Sequence, residues 1–359
     1  MLSPKEIQRY SRQTILPGFN QAGQEKLKAA KVLVIGAGGL GCPALQYLAA
    51  VGVGRIGIVD EDKVDITNLH RQVLYNENDL GRKKAEVAAE KLALINPLVK
   101  TDIYPEFLNT NNALEIIASY DIVLDGTDNF PTRYLVNDAC VILDKPNVFA
   151  SINEFQAQVS IYNVSKNGER GVNYRDLYPT PPAPGDVANC ADNGVLGVLP
   201  GIAGSVQALE AIKLITGIGS PLVNKLWIYD ALNNHSTTLN LSIDPTQQSI
   251  ELLENYEAFC SIINIDVPLI DALDLQANKK EIQLIDVRTP DKHHAGNIGG
   301  INIPIDKLHE ELSKLDKSKR FVCYCSSGNK SKTATQILVD NGFTSVQSLI
   351  GGVLHYPTK

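Results

Sequence analysis

The 359-residue sequence contains little cysteine, and no two of its cysteines stand at Cys-x-x-Cys spacing. The six cysteines, at positions 42, 140, 190, 260, 323 and 325, are too scattered to predict a disulfide framework and are typical of the reducing cytoplasm. The first residues, MLSPKEIQRYSRQ, contain no apolar core with a small-residue cleavage site, so we expect no secretory signal. No apolar run reaches 18 residues, which predicts no transmembrane helix and no membrane partner. We therefore expect a cytoplasmic protein.

Basic charge is also scarce, because 33 Lys and Arg stand against 40 Asp and Glu, a net charge of −7. Nucleic-acid-binding proteins usually present a basic face, so this balance argues against a nucleic-acid partner. A hydrophobic fraction of 44% is that of an ordinary globular protein. The length exceeds the roughly 250–300 residues at which one core usually divides. We predict two domains, 1–250 and 266–359, joined by a linker at 251–265.

A glycine-rich segment follows the first strongly apolar run. VLVI (32–35) leads into GAGGLG (36–41), then a helical pattern, then a second apolar run, RIGIVD (55–60). This order predicts a Rossmann-like α/β domain in which the loop glycines approach phosphate and Asp60 binds a ribose hydroxyl. The glycines concerned are Gly36, Gly38, Gly39 and Gly41. From this motif alone, a nicotinamide-dependent dehydrogenase remains an alternative.

Further polar residues follow the ends of successive predicted strands. They are Asn68, Arg71, Lys84, Asp128 and Asn129. Taken singly, Arg71 could be a surface ion-pair partner, Lys84 a solvated cation and Asp128 a turn former. The carboxyl ends of parallel strands share one edge, however, so joint placement predicts a site. Cations that neutralise phosphate charge and an aspartate that holds Mg²⁺ favour nucleotidyl transfer over hydride transfer.

Residues 1–243 resemble the ThiF/MoeB/HesA family, the bacterial relatives of ubiquitin-activating enzymes. The matching stretches are RYSRQ (9–13), GFNQAGQEKL (18–27), VLVIGAGGLGCP (32–43), VGVGRIGIVDEDKVDITNLHRQ (51–72), GTDNFPTRYLVND (126–138) and NCADNGVLGVLPG (189–201). The resemblance implies a mixed sheet of the ubiquitin-activating type. It also implies adenylation of the C-terminal glycine of a Gly-Gly-ended, ubiquitin-like sulfur carrier of MoaD or ThiS type, with release of pyrophosphate.

The same resemblance assigns roles to individual residues. It places an ATP site at Gly39, Asp60, Asn68, Arg71, Lys84, Asp128 and Asn129, with Asp128 near Mg²⁺. The family is homodimeric, and Arg12 matches an arginine that reaches the other subunit's site; the alternative is a plain surface arginine. Cys190 matches a thiol that attacks the acyl adenylate or forms an acyl intermediate; the alternative is a small buried residue.

Family members commonly hold a structural zinc on two Cys-x-x-Cys pairs. Where the first pair would stand, this sequence has Asn173-Tyr174-Arg175-Asp176, and the second would fall within 244–249, which reads DPTQQS. Because structural zinc requires four good nitrogen or sulfur donors, we predict that this protein holds no structural zinc.

The C-terminal segment, about 266–359, resembles a small α/β rhodanese domain. The resemblance lies in DVR (286–288), HHAGNIGGINIP (293–304), the loop CSSGNKS and GGV (351–353). The loop residues are Cys325, Ser326, Ser327, Gly328, Asn329, Lys330 and Ser331. A cysteine at a strand end that opens a loop into a helix lets backbone N–H groups converge on its sulfur and stabilise a thiolate or persulfide. Many relatives have arginine where Lys330 stands, and an inactive binding module is the alternative.

Cys323 lies two residues before Cys325, on the same face of the predicted strand. It is expected to pack in the core, and a resolving thiol is the alternative. The sequence as a whole predicts an enzyme, a sulfur-carrier adenylyltransferase with a sulfurtransferase domain. Its sulfur donor would be thiosulfate or a cysteine-desulfurase persulfide, and its pathway molybdopterin or thiamine biosynthesis. Alternatives are a relative that adenylates another substrate, a nicotinamide-dependent redox protein with an accessory rhodanese module, and a non-catalytic scaffold.

Overall fold

The computed structural model describes residues 1–165, 168–182, 194–247, 249–256, 260, 267–326 and 328–356. The chain divides into two compact units. The first is formed by Met1–Pro181 and Gly194–Cys260, and the described part of Ser261–Lys359 belongs to the second. Within the segment predicted as a linker, Tyr256 and Cys260 pack into a core cluster of the first unit.

The first unit contains eight strands and nine helices among its described residues. The strands are β1 (Lys31–Ile35), β2 (Arg55–Val59), β3 (Lys100–Tyr104), β4 (Ile122–Asp125), β5 (Asn147–Asn153), β6 (Gln156–Tyr162), β7 (Lys225–Asp230) and β8 (His235–Asn240). The helices are α1 (Pro4–Arg9), α2 (Ser11–Thr14), α3 (Asn20–Ala29), α4 (Gly41–Val51), α5 (Lys84–Ile95), α6 (Ala113–Ala118), α7 (Phe130–Ile142), α8 (Tyr174–Leu177) and α9 (Val198–Thr216).

The eight strands form one mixed sheet in the order β3-β2-β1-β4-β5-β6-β7-β8. The first five pair in parallel, and β5 to β8 pair antiparallel. Chain order reverses direction between β1 and β4, which is the switch point at which ligands bind in such sheets. The predicted Rossmann-like domain with a mixed sheet is confirmed.

The central strands are apolar on both faces because helices cover both faces of the sheet. On β1, Val32 and Val34 join the core cluster that also contains residues of α4 and α5. Leu33 and Ile35 point the other way, into the cluster that contains residues of α6 and α7. Burial on both faces explains why the short run VLVI (32–35) is continuously hydrophobic.

Helix α9 is a long, strongly apolar helix of the first unit. It is the one helix in the described part of the chain that length and composition would allow to cross a membrane, and 44% of its most apolar window is buried. The helix packs against β5, β6, α3 and α4. Its contact with α4 is close, because a Cβ at Gly204 would lie 2.2 Å from the Leu40 carbonyl oxygen and 2.6 Å from Pro43 Cγ.

The second unit contains a five-stranded parallel sheet in the order β11-β10-β12-β13-β9. Its strands are β9 (Leu269–Ile270), β10 (Ile282–Asp286), β11 (Ile301–Asn302), β12 (Arg320–Tyr324) and β13 (Val346–Leu349). Its helices are α10 (Ala272–Asn278), α11 (Pro290–Ala295), α12 (Leu308–Glu311) and α13 (Asn329–Asp340). The predicted small α/β domain is confirmed.

The close approach of α9 and α4 yields a testable prediction. Gly204→Ala should lower the free energy of unfolding by about 1–3 kcal/mol, because the added methyl group meets a carbonyl oxygen that cannot move aside freely. Gly201→Ala on the same helix is the control, because nothing lies within 4 Å of its Cβ position. Urea unfolding followed by fluorescence of the single tryptophan, Trp227 on β7, measures both. Equal stability of the two variants would refute the steric argument.

Candidate functional site

The glycine loop 36–41 connects β1 to α4 and lies against two other segments of the first unit. A Cβ at Gly39 would come 3.0 Å from Cβ of Pro200, near the start of α9, and 3.7 Å from Cγ of Arg71. Gln72 lies beside the preceding glycine, with Nε2 3.5 Å from that glycine's Cβ position. Within the first turn of α4 the Cys42 N–H already donates to the Gly38 carbonyl oxygen at 2.9 Å and Pro43 has no N–H, so donors to an anion would come from the loop that precedes the helix.

Asp60 and Lys84 are held beside the same loop. The Asp60 carboxylate accepts hydrogen bonds from the backbone N–H of Ala37 at 2.7 Å and of Asp62 at 2.9 Å. Burial raises the pKa of Asp60, and the charge of Lys84 opposes that rise. Lys84 is itself buried at the first position of α5 and donates from Nζ to Asp62 at 2.9 Å. Both predicted residues therefore lie at one end of the sheet.

Asn68, Arg71 and Gln72 occupy a short turn after β2. The half-buried Arg71 donates from Nη1 to the Thr67 carbonyl oxygen at 2.9 Å and contacts the His70 ring at 2.8 Å. Burial and the arginine charge lower the pKa of His70. Gln72 is only 4% exposed, yet its Oε1 has no hydrogen-bond partner. Sequence reasoning named Asn68 and Arg71 and missed Gln72.

The end of β4 brings an additional carboxylate into this region. Asp125 is fully buried, and its Oδ1 accepts from the N–H and hydroxyl of Thr127 at 3.0 and 2.6 Å, while Oδ2 has no partner. Burial raises the pKa of Asp125. Asp128 is exposed three residues later. Asn129 caps α7, with Oδ1 accepting from the Thr132 N–H at 2.9 Å.

Arg133 is a second residue that the sequence reasoning missed. Its Nη2 donates to the Thr127 carbonyl oxygen at 3.2 Å, its Nε is buried without a partner, and its charge acts on Asp125. Its guanidinium carbon lies 5.3 Å from the ring centroids of both Phe130 and Phe149. The signal available in the sequence was an arginine in the apolar start of a helix, directly after a strand end.

The predicted roles of Arg12, which would act in the other subunit's site, and of Cys190 are not tested by the described structure. Arg12 lies on α2 with an exposed side chain. Cys190 lies outside the described residues, so its predicted role stays a prediction. Among the residues that are described, no group of three or more His, Cys, Asp or Glu side chains is placed to hold a metal ion.

In the second unit, Cys325 follows β12 and begins the loop that leads into α13. Its side chain is 1% exposed, and its Sγ accepts from the Gly328 N–H at 3.1 Å. The Ser331 hydroxyl lies 3.8 Å from that sulfur and 2.8 Å from the Ser348 hydroxyl on β13. One backbone N–H of the loop therefore donates to the sulfur, while the Ser331 hydroxyl donates to the Gly328 carbonyl oxygen at 3.0 Å and its oxygen faces the thiol as an acceptor. Ser326 and Lys330 are half-buried, Ser327 lies outside the described residues, and of Asn329 only the backbone is described.

Cys323 belongs to the same core cluster as Cys325, but it lies within β12 and not at the start of the loop. It is fully buried in the core cluster of the second unit, and burial raises its pKa to about 12. A thiol with so high a pKa carries almost no thiolate at neutral pH, and the thiolate is the nucleophile. This environment accords with the packing role predicted for Cys323.

Comparison with known proteins identifies both units. Residues 10–250 match the ThiF family and residues 269–356 match the rhodanese-like domain. This chain belongs to the ThiF family. The predicted combination of a ThiF domain with a C-terminal rhodanese domain is confirmed. The alternative of a nicotinamide-dependent dehydrogenase, based on the glycine motif alone, is set aside by this membership.

Relatives of this ThiF-family chain align along most of its length. The probable adenylyltransferase/sulfurtransferase MoeZ of Mycobacterium tuberculosis is 44% identical and covers 98% of this chain and 93% of its own. The sulfur carrier protein adenylyltransferase of Thermus thermophilus is 50% identical over 72% of this chain and 98% of its own. A crystal structure of E. coli MccB with ATP is similar at a TM-score of 0.58 and 25% identity, covering 67% of this chain and 73% of its own. ATP use follows from membership in this adenylyltransferase family.

The rhodanese-like unit of this ThiF-family chain contains a buried ionic cluster at the end of β10. Asp286 is fully buried and accepts hydrogen bonds from Arg288 Nη2 at 2.7 Å and from His293 Nδ1 at 2.8 Å. Burial alone would raise the pKa of Asp286, but these hydrogen bonds outweigh it and hold the pKa below its ordinary value. Because Arg288 is only 8% exposed, the pair is shielded from solvent.

This cluster yields a prediction about acid stability. A carboxylate with a depressed native pKa stabilises the fold above its unfolded pKa of about 4, and that stabilisation is lost as pH falls through the native pKa. Asp286→Asn should lower the free energy of unfolding at pH 7 by about 3–5 kcal/mol. Between roughly pH 5 and 3 the stability of this variant should fall less steeply than that of the wild type, because the titrating carboxylate is gone. Calorimetry of the full chain across this range measures both effects. The control is Asp291→Asn, which changes an exposed carboxylate on α11; identical profiles for the two variants would contradict the prediction.

Proposed function

We propose that this chain adenylates the C-terminal glycine of a ubiquitin-like sulfur carrier and then converts it to a thiocarboxylate with sulfur carried on Cys325. The observation that carries the proposal is that one chain combines two features. Cationic and polar residues lie at the carboxyl ends of its strands, and the sulfur of Cys325 accepts a hydrogen bond from a loop N–H. Relatives named as adenylyltransferase and sulfurtransferase align along almost the whole chain and support it. Molybdopterin and thiamine biosynthesis are the candidate pathways for such a carrier.

The first step requires a site for ATP, and the residues at the ends of β1, β2 and β4 fit one. In this step a carboxylate oxygen of the carrier attacks the α-phosphorus, and the bond to pyrophosphate breaks. The glycine loop would hold phosphates, Asp60 the ribose, and Arg71 and Lys84 would neutralise charge that develops in the transition state. The orphaned Gln72 Oε1 and Arg133 Nε are buried polar atoms that a ligand would satisfy.

Magnesium fits the same edge of the sheet. Mg²⁺ is usually held by one or two carboxylates together with substrate phosphates, and Asp128 with the unpartnered Oδ2 of Asp125 are the candidates. When bound, the ion would offset negative charge on the phosphates. The chain's own contribution is to keep both carboxylates at the end of β4.

The second step uses the sulfur of the rhodanese-like loop. A donor, thiosulfate or a desulfurase persulfide, would leave a persulfide on Cys325. Its terminal sulfur attacks the acyl carbon and AMP leaves, which gives an acyl disulfide. A second thiol, for which Cys190 is the candidate, then attacks the Cys325 sulfur and releases the thiocarboxylate. The resulting disulfide is reduced by a small cellular thiol.

Peptide adenylation of the MccB kind is the alternative within the superfamily. The likeness to MccB with MccA-N7isoASN has a TM-score of 0.60 and covers 67% of this chain. A peptide-adenylating function of this kind would not explain why the chain also contains a rhodanese-like unit. The sulfur-carrier proposal accounts for both units and is therefore preferred.

The function is tested by separating its two steps. ATP–pyrophosphate exchange should depend on a Gly-Gly-ended carrier and should fall by about 100-fold or more in Arg71→Ala, which removes charge stabilisation. Cys325→Ser should leave exchange intact and abolish thiocarboxylate formation, read by mass spectrometry, together with thiocyanate release from thiosulfate and cyanide. Cys190→Ser should likewise spare exchange.

A buried cysteine outside the loop provides the control, so Cys260→Ser should preserve both steps. Binding of NADH without carrier-dependent exchange would contradict the proposed function. Undiminished sulfur delivery by Cys325→Ser would contradict the assignment of the donor.

We further propose that the active enzyme is a homodimer in which Arg12 completes the partner's site. The support is an apolar surface on two helices that pack against each other. Val198 and Leu209 on α9 are 61% and 49% exposed, and Tyr47 on α4 is 54% exposed. A second copy of the chain would cover this surface by two-fold symmetry.

Complementation tests this arrangement. Arg12→Ala and Asp128→Asn should each be inactive alone, because each lacks one component of every site. When the two chains are co-expressed with different tags, half of the dimers are mixed and each mixed dimer holds one complete site, so about a quarter of wild-type exchange should return. Failure to recover activity in purified mixed dimers would refute the shared site, and a monomer in sedimentation at assay concentration would refute the dimer.

A further inference from the structure

The chain departs from its family at the positions where two cysteine pairs would bind zinc. The first pair is replaced by Asn173, directly before α8, and Asp176, within α8. The second would lie after β8, where Asp244 and the residues up to 249 stand. These two segments are 68 residues apart in sequence, yet they meet, because the Asp244 N–H donates to Asp176 Oδ1 at 2.9 Å.

The Asp176 carboxylate is buried, with its side chain 0% exposed, and it accepts four hydrogen bonds. Its Oδ2 accepts from Arg170 Nη1 at 2.6 Å and from the Asn173 N–H at 2.8 Å. Its Oδ1 accepts from Arg170 Nη2 at 2.8 Å as well as from Asp244. A carboxylate has about four lone-pair sites, so this one is saturated.

Arg170 also reaches the second segment. The same Nη2 that binds Asp176 lies 3.4 Å from the Asp244 carbonyl oxygen. The planar guanidinium therefore binds the Asp176 carboxylate through both Nη1 and Nη2. Nη2 also contacts the Asp244 carbonyl oxygen. The hydrogen bond to Asp176 raises the pKa of Arg170, which keeps its charge fixed at all relevant pH values.

The other side-chain oxygens that could bind a metal already accept hydrogen bonds. Asn173 Oδ1 accepts from the Arg175 N–H at 2.8 Å. Asp244 Oδ1 accepts from the N–H and hydroxyl of Thr246 at 2.8 and 2.7 Å. Structural zinc favours thiolate and imidazole in a closed tetrahedral set, whereas these are oxygen atoms that already hold partners. The residues present do not fit a zinc ion.

We propose that the Arg170–Asp176 ion pair takes the structural role that zinc has in relatives. The Arg170 guanidinium supplies the positive charge, and the Asp176 carboxylate accepts its hydrogen bonds. The backbone N–H and carbonyl oxygen of Asp244 connect this pair to the chain after β8. The cross-link fastens the start of the segment that continues from α8 toward Cys190 to the chain after β8. Because no metal takes part, the stability of this link is independent of zinc supply.

The test combines metal analysis with substitution in the full chain. Purified wild-type protein should contain well below one zinc per chain by mass spectrometry, and its melting temperature should not change with a strong zinc chelator. Arg170→Met should lower the melting temperature by roughly 4–8 °C, because it leaves a buried carboxylate without its charge partner. Arg170→Lys keeps the charge and loses the paired geometry, so its melting temperature should lie between those of the wild type and Arg170→Met. It replaces the methionine variant if that protein does not fold.

Lys314→Met is the control. Lys314 donates to Glu311 over 2.7 Å, but the two side chains are 68% and 34% exposed. Exposed pairs contribute little, so the control should melt within about 1 °C of wild type. The proposal requires both results. A chelator that lowers the wild-type melting temperature would overturn it, and so would an Arg170 variant that melts with the control.

Discussion

The steric constraint at the glycine loop is the feature on which the nucleotide end of this protein depends. A Cβ at Gly41 would lie 1.9 Å from the Gly36 carbonyl oxygen, and one at Gly204 would lie 2.2 Å from that of Leu40. Only residues without a side chain allow β1, the start of α4 and α9 to approach so closely. That approach places the first turn of α4 beside the ends of β2 and β4. Asp60, Arg71 and Gln72, which follow β2, consequently lie beside the loop.

The buried carboxylates of this protein differ in how many hydrogen bonds they accept. Asp176 and Asp286 are buried carboxylates whose oxygens are used by arginine and other donors. At the nucleotide end, by contrast, Asp125 Oδ2 and Arg133 Nε are buried without partners. An unsatisfied buried polar atom is costly, and a ligand that pairs with these two would offset that cost. Unpartnered atoms also occur elsewhere, for example at Tyr162 and Thr335, so the site is located by these two atoms together with the glycine loop.

The sequence predicted more of the fold than of the site. Apolar runs and the glycine motif placed β1, β2 and α4, and the CSSGNKS loop placed the turn between β12 and α13. Asp125 and Arg133 escaped notice because their importance depends on burial, which no spacing in the sequence expresses. Asn129 was named for nucleotide binding, while its amide oxygen serves to cap α7. The sequence shows no cysteine pairs at the family's zinc positions, whereas the contacts among the residues that stand there could not be predicted from it.

The amino-acid sequence by itself determined the two-domain organisation, the Rossmann-like and rhodanese-like folds, and the residue types available for adenylation and sulfur transfer. These follow from local patterns, since strand periodicity, glycine spacing and loop chemistry are all read within a few dozen residues. Only the tertiary structure decided that Arg170 and Asp176 join a segment 68 residues away. It likewise decided that Cys323 and Cys325, two residues apart, differ in their contacts. Such properties depend on burial and on partners distant in sequence, and folding alone brings those together.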